Sequence, residues 1–282
     1  MDEMNEPMKH VPPPWDLKGT SYFFMFWIPS SQAKELPTDI AFSPLEAQSS
    51  FARASDSGSP QGGIGTIQIH RYASSPVGPY DEFILSTGEY SYQVEDNGKR
   101  KEKRNMRITR IYVSQKTTCW NGRKDWSIPK HLARFEFNEM AGDGTEIKIF
   151  PHDTTGDVAE AVADKKPFFR TMYKPLNYLP SFPLTTSLVK YLGVDLTLVQ
   201  PPLPEGNGSQ GELVGTDRWC KFFPTISSSK TEVGWFDMRQ EEDAKEANFW
   251  PGLGRWRLGM MMKNSDISFG DMQYWDTPRS AQ

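Results

Sequence analysis

Cysteine and histidine are scarce in this chain, and no apolar run is long. The two cysteines, Cys119 and Cys220, lie far apart and form no C-x-x-C pair. A disulfide-rich scaffold is therefore excluded, and two free thiols in a reducing compartment are the natural reading. The four histidines, His10, His70, His131 and His152, fall in no HxxxH or HExxH spacing, so no metal site is expected. The longest aromatic-aliphatic run, Tyr22 to Ile28, is too short to span a bilayer. The N-terminus is acidic and polar with no signal-peptide pattern, so the cytoplasm is the expected compartment. An excess of one charge is missing too. With 32 Lys+Arg against 36 Asp+Glu the net charge is −4, which offers no surface for nucleic acid or an anionic membrane. Gly62-Gly63-Ile64-Gly65 precedes a strand and lacks the Gly-Lys-Ser/Thr ending of a phosphate loop, and no Gly-x-Ser-x-Gly elbow occurs. No cofactor is implied.

Aromatic residues and turn formers are abundant. Seventeen Phe, 10 Tyr and 9 Trp give large burial per residue, while 22 Gly and 22 Pro argue against long helices. Residues 1–14, ending in Pro12-Pro13-Pro14, read as an extended arm. Residues 15–282 show no repeat and no shift of composition, and read as a single domain. Trp15 to Gly19 reads as a turn into Tyr22–Ile28, a strand buried on both faces. Strand-like runs follow at Ile64–Tyr72, Phe83–Leu85, Ile108–Val113, Arg134–Phe137, Thr145–Phe150, Val194–Gln200, Thr231–Met238 and, as the last strand, Leu253–Met262. Asp96-Asn97-Gly98 and the cationic stretch after it read as a hairpin tip. Short helices are expected at Pro44–Ala52, Asp157–Asp164 and Arg239–Ala247, and Thr185–Leu192 fits a strand or a short helix. Many short strands with few helices indicate a mostly β, α+β protein: an antiparallel barrel or sandwich with short helices outside.

Chemistry concentrates between Ile108 and Phe137. A strand is expected first, then a turn at Asn121-Gly122, then Ile128-Pro129-Lys130-His131-Leu132-Ala133. Lys130 sits among apolar neighbours, after a proline and beside a second basic residue. A dry setting and a neighbouring cation both disfavour an ammonium ion, and a neutral amine can attack a carbonyl to form a Schiff base. Upstream, a Pro/Gly turn delivers Tyr80, Asp81 and Glu82 to the start of a strand, and a carboxylate near an active lysine can orient substrate or move a proton.

Gly122-Arg123 followed by Pro129-Lys130-basic-Leu132 resembles the acetoacetate decarboxylase signature, in which Gly-Arg precedes Pro-Lys-Lys-Leu. Tyr80-x-Glu82 resembles the family's Tyr-x-Glu at the same place before the lysine strand. The resemblance implies a closed antiparallel β-cone with peripheral helices, usually in oligomers. It implies that Lys130 is the Schiff-base nucleophile and that Glu82 lies in the pocket. His131 stands where the family has a second lysine, so burial has to replace part of the like-charge effect. The family's active-site arginine before the first strand has no clear counterpart; Lys18 is the nearest basic residue.

On this reading Lys130, Glu82 and His131 are the catalytic candidates, and Tyr80 and Arg123 the substrate-binding ones. The expected activity is that of a decarboxylase or other carbon–carbon lyase using a Lys130 imine. Its expected substrate is a β-keto acid or a larger keto, polyketide-like secondary metabolite, because an aromatic-lined barrel suits a larger molecule. Two alternatives stand beside it. One is an aldolase, dehydratase or cyclase in which Glu82 and His131 do acid–base work without an imine; the other is a non-catalytic barrel for a hydrophobic ligand.

Overall fold

The computed structural model describes residues 8–96, 98–152, 163, 165–193, 195–239 and 254–277. The segments expected as helices at 157–164 and 239–247 lie almost wholly outside these residues. Strands dominate what is described. They are β1 Trp15–Ile28, β2 Ser59–Ser74, β3 Tyr80–Asp96, β4 Lys99–Val113, β5 Lys130–Met140, β6 Gly144–Pro151 and β7 Phe169–Pro175. They continue with β8 Phe182–Thr185, β9 Leu198–Gln200, β10 Arg218–Phe222, β11 Pro224–Asp237, β12 Trp256–Phe269 and β13 Gln273–Asp276. Helices α1 Ser30–Glu35, α2 Thr38–Ala41, α3 Pro44–Ala47 and α4 Ala54–Ser57 are short helices of four to six residues between β1 and β2, and α5 Lys116–Trp126 is the one longer α-helix among the described residues.

Nine strands close on themselves, in the order β1-β2-β3-β4-β5-β6-β7-β11-β12 and back to β1. Phe24, Ile67, Phe83, Tyr112, Ala133, Ile147, Phe169, Phe236 and Met261, one from each ring strand, belong to a single buried cluster. A cluster fed by every strand of a closed ring is its interior. Because successive strand residues point to opposite faces, the neighbours of these residues face outward. On one side the outward face is buried a second time. There Leu17, Ile84, Ile111, Leu132 and Ile267 pack with Trp126 and Ile128, and with Leu198, Cys220 and Phe222 from the branch β9-β10-β13 that extends the sheet from β4.

Several expectations change. The run Tyr22–Ile28 is buried on one face only along part of its length, since Met25 and Trp27 are 53% and 71% exposed. The turn expected at residues 15–19 is continuous with β1. Only Leu198–Gln200 of the run 194–200 is a strand, and β13 follows what reads as the last strand. The largest change is at Asn121-Gly122, which lies within α5 and makes no turn. Strands β4 and β5 pair in parallel, Ile111 opposite Lys130 and Val113 opposite Leu132. Parallel neighbours need a crossover of a dozen or so residues, usually a helix, and cannot be joined by a tight turn. Gln115 caps α5 by accepting from the Thr118 amide, and Ser127 ends it in the left-handed region at φ 51°. Residues 8–14 lie against this helix: the Val11 amide donates to Asn121 Oδ1, and Asn121 Nδ2 donates to the Lys9 carbonyl.

Candidate active site

The parallel pairing sets Lys130 at the first residue of β5, on the doubly covered outer face. Its side chain runs over α5 at Gly122. A Cβ built there would come within 2.6 Å of Lys130 Cδ and 2.7 Å of Cε. That close approach accounts for a glycine in mid-helix, where it costs about 1 kcal/mol relative to alanine. The amine is buried: Nζ lies 2.8 Å from Glu82 Oε2 and donates to Thr118 Oγ1 at 3.0 Å. It sits 5.4 Å from the Tyr80 ring centroid.

Glu82 reaches this point from β3, on the same face as Tyr80 and Ile84. Its second oxygen accepts from the Tyr72 hydroxyl at 3.0 Å. Burial first, then the Glu82 charge, raises both the Tyr72 and Tyr80 hydroxyls well above the ordinary tyrosine value. Both therefore stay protonated donors at neutral pH. His70 is paired with Glu82 across β2 and β3 and stacks on Tyr72, with ring planes 9° apart and centroids at 5.4 Å. Its Nδ1 lies 2.8 Å from Ser21 Oγ.

Two cavities meet here. A small one, about 20 Å³, is bounded by Lys130, Glu82, Tyr80, Trp15, Trp126 and Ile128. That is room for about one water molecule. A larger one, about 120 Å³, is bounded by His70, Tyr72, Phe23, Met106, Leu198 and Met262 among others. Ile84, Ile108 and Phe269 line both.

The structure thus brings Lys130, Glu82 and Tyr80 together. It places His131 and Arg123 elsewhere. His131 follows Lys130 directly in a strand and so points to the opposite face, its ring 6.3 Å from Tyr112. Its Nε2 lies 2.6 Å from Glu46 Oε2, and Arg123 Nη1 lies 3.0 Å from Glu46 Oε1, all three side chains fully buried. Arg123 also donates to the backbone carbonyls of Lys130, Val214 and Pro204. Neither side chain lines either of these two cavities. Lys18 is 74% exposed, beside Asp266. Four residues at or behind the site escape sequence reading: Thr118, Tyr72, His70 and Glu46. The alternation of Ile67, Ile69 and Tyr72 flags β2 as a strand, but nothing in it signals that its second face is covered.

No grouping of His, Cys, Asp and Glu that could hold a metal ion occurs among the described residues. No described helix is long and apolar enough to cross a membrane.

A nine-strand ring carrying a buried lysine–carboxylate pair under one crossover helix is a specific architecture. Solved structures share its fold. An acetoacetate decarboxylase structure matches with a TM-score of 0.54 at 12% identity, covering 95% of this chain and 91% of that chain. The acetoacetate decarboxylase of Legionella pneumophila subsp. pneumophila str. Philadelphia 1 matches with a TM-score of 0.51 at 12% identity, covering 97% and 92%. The chain has the acetoacetate decarboxylase fold. No family model and no curated protein matches the sequence.

Proposed function

We propose that this chain is a Schiff-base enzyme, a decarboxylase or other carbon–carbon lyase, in which Lys130 attacks the carbonyl of a keto substrate. The observation that carries the reading is the Lys130 amine itself: buried, beside a cavity, and 2.8 Å from a carboxylate that can take its proton. Glu82 accepts that proton, and Thr118 and Tyr72 fix the amine and the carboxylate from either side. The amine then adds to the keto carbon and water leaves, giving an iminium. In a β-keto acid the bond to the carboxylate breaks, its electrons move to the iminium nitrogen, and CO2 departs. The enamine takes a proton at carbon, and water releases the ketone and the amine. Arg123 and His131 act as positioning residues, through the Lys130 carbonyl and strand β5, and Tyr80 supplies the ring beneath the amine.

Among the described residues, neither of the two cavities has a cation other than Lys130 in its lining. Recognition of the substrate therefore falls to its apolar body rather than to an arginine clamp on its carboxylate. This favours a keto compound larger than acetoacetate, with the body in the 120 Å³ cavity and the carbonyl at Lys130.

The test is borohydride reduction of the protein with a panel of β-keto acids that differ in the apolar chain. A reduced adduct is expected on Lys130 by peptide mass mapping, absent from Lys130→Ala. Turnover in Lys130→Ala equal to the parent would overturn the imine. Loss in Glu82→Gln with full turnover in Lys130→Ala would establish acid–base chemistry instead. Tight ligand binding with no adduct and no turnover would leave a binding protein.

A further inference from the structure

The hydroxyl network behind His70 fixes which of its nitrogens carries the proton. Ser265 Oγ donates to the Gly19 carbonyl at 3.0 Å, which uses its one hydrogen. Between Ser265 and Ser21, 2.9 Å apart, the donor is therefore Ser21. Having spent its hydrogen there, Ser21 can only accept from His70 Nδ1 at 2.8 Å. The neutral imidazole so assigned has its proton on Nδ1 and a bare lone pair on Nε2. Burial, the leading effect, pulls the His70 pKa down to about 4, so the ring is neutral around pH 7.

The backbone is arranged to hold this chain of hydroxyls. Strand β12 bulges between the partners of Gly19 and Ser21, and Asn264 there takes φ 50°. Such a bulge re-aims the side chain beside it, here the buried Ser265. Gly19 admits no side chain, because a Cβ would lie 2.1 Å from the Arg71 carbonyl oxygen.

With Nδ1 held by Ser21, Nε2 is the polar atom that His70 can offer to the 120 Å³ cavity it lines. The remaining wall is largely apolar, with Phe23, Met106, Leu198 and Met262. Its volume approaches the roughly 150 Å³ of a cavity that accepts a benzene ring. An acceptor in an apolar wall favours a neutral donor: a cation would lose its hydration there, and a ligand with no donor would leave Nε2 unpaired.

We propose that this cavity is a ligand subsite in which His70 Nε2 accepts a hydrogen bond from a hydroxyl on an apolar, ring-sized body. Taken with the Schiff-base reading, on which only the orientation of the ligand rests, the substrate is a hydroxylated apolar ketone or keto acid. Its carbonyl reaches Lys130 and its hydroxyl reaches His70.

The experiment uses the full chain labelled with nitrogen-15 at histidine, with benzylacetone and its three ring-hydroxylated isomers as probes. In the unliganded protein the His70 signals, assigned by their absence in His70→Phe, should show a protonated Nδ1 and an unprotonated Nε2. At least one hydroxylated isomer should bind about tenfold tighter than benzylacetone, the worth of one buried hydrogen bond, and should shift the Nε2 signal. The preference should persist in Lys130→Met, where no imine can form, and vanish in His70→Phe. Survival in Lys130→Met alongside a failed borohydride trap would sink the imine and keep the subsite. A protonated Nε2, no preference among the probes, or a preference that survives in His70→Phe would overturn the subsite. Should His70→Phe fail to fold, labelling of the Ser265→Ala protein decides. Freed from Ser265, Ser21 can donate to Nδ1, so Nε2 should gain proton character, and an unchanged Nε2 signal there overturns the assignment.

Discussion

Glu46→Ala should destabilise the fold by about 3–5 kcal/mol, the range for breaking a buried ion pair by removing one partner. Glu46 sits on α3, a single turn, yet its side chain is fully buried and holds Arg123 and His131, from different elements. Burial alone would raise its carboxyl, but the charges and hydrogen bonds of His131 and Arg123 outweigh that and hold it below the usual carboxylate range. Its truncation leaves the Arg123 guanidinium buried with only carbonyl partners. Urea unfolding at neutral pH measures the loss, and a change under about 1 kcal/mol would contradict the buried-ion account. Replacing the triad together, as Glu46→Leu with Arg123→Met and His131→Phe, should recover most of the stability, since no uncompensated charge remains. Function should not recover with it. Arg123 Nη1 also holds the Lys130 carbonyl at 3.1 Å, so the triple variant should fold and yet trap less keto acid on Lys130.

The same triad shows where sequence reading reaches and where it stops. Lys130 and Glu82 are legible because each lies in a short signature that pairs a chemistry-bearing residue with the turn or proline placing it. Their meeting across β3, β4 and β5 is a matter of register, which follows once β4 and β5 lie parallel. His131 looks catalytic only through its neighbour in the chain, and a strand separates chain neighbours onto opposite faces. Asn121-Gly122 is a strong hairpin signal only where the flanking strands are antiparallel. Within α5 the buried residues Cys119, Gly122, Arg123 and Trp126 recur at three and four residues, a helical spacing obscured by the polar residues between them. The covered outer face is the hardest feature to foresee. It depends on β9 and β10: the run Val194–Gln200 signals a strand, but nothing in it tells which part of the ring it covers. That cover encloses the cavity and turns His70 from one polar position on a strand into a buried base.

Acid should therefore unfold this protein earlier than its carboxylates alone dictate. His70 ordinarily titrates near 6.5 and is brought down to about 4, chiefly by burial; Glu82 offsets part of the shift and Lys130 adds to it. Between these values the unfolded chain binds a proton that the folded chain refuses, so stability rises with pH across that window. The contribution is fully present above about pH 6.5, falls by about 2 kcal/mol at pH 5, and is down by about 3 kcal/mol at pH 4. Glu46, Glu146 and Asp237, whose carboxyls are held low, act with the same sign but only near and below their ordinary range; Asp81, raised by burial, runs the other way. These carboxyl contributions should be common to the parent and to His70→Gln, so the difference between the two proteins isolates the histidine. Urea unfolding at pH 7.5 and pH 5 should show the parent losing about 2 kcal/mol more than His70→Gln over that interval. Equal losses would mean that the ring takes its proton without opening the fold. The largely apolar cavity wall would then have to accommodate an imidazolium, helped by the Glu82 charge and opposed by burial and by Lys130.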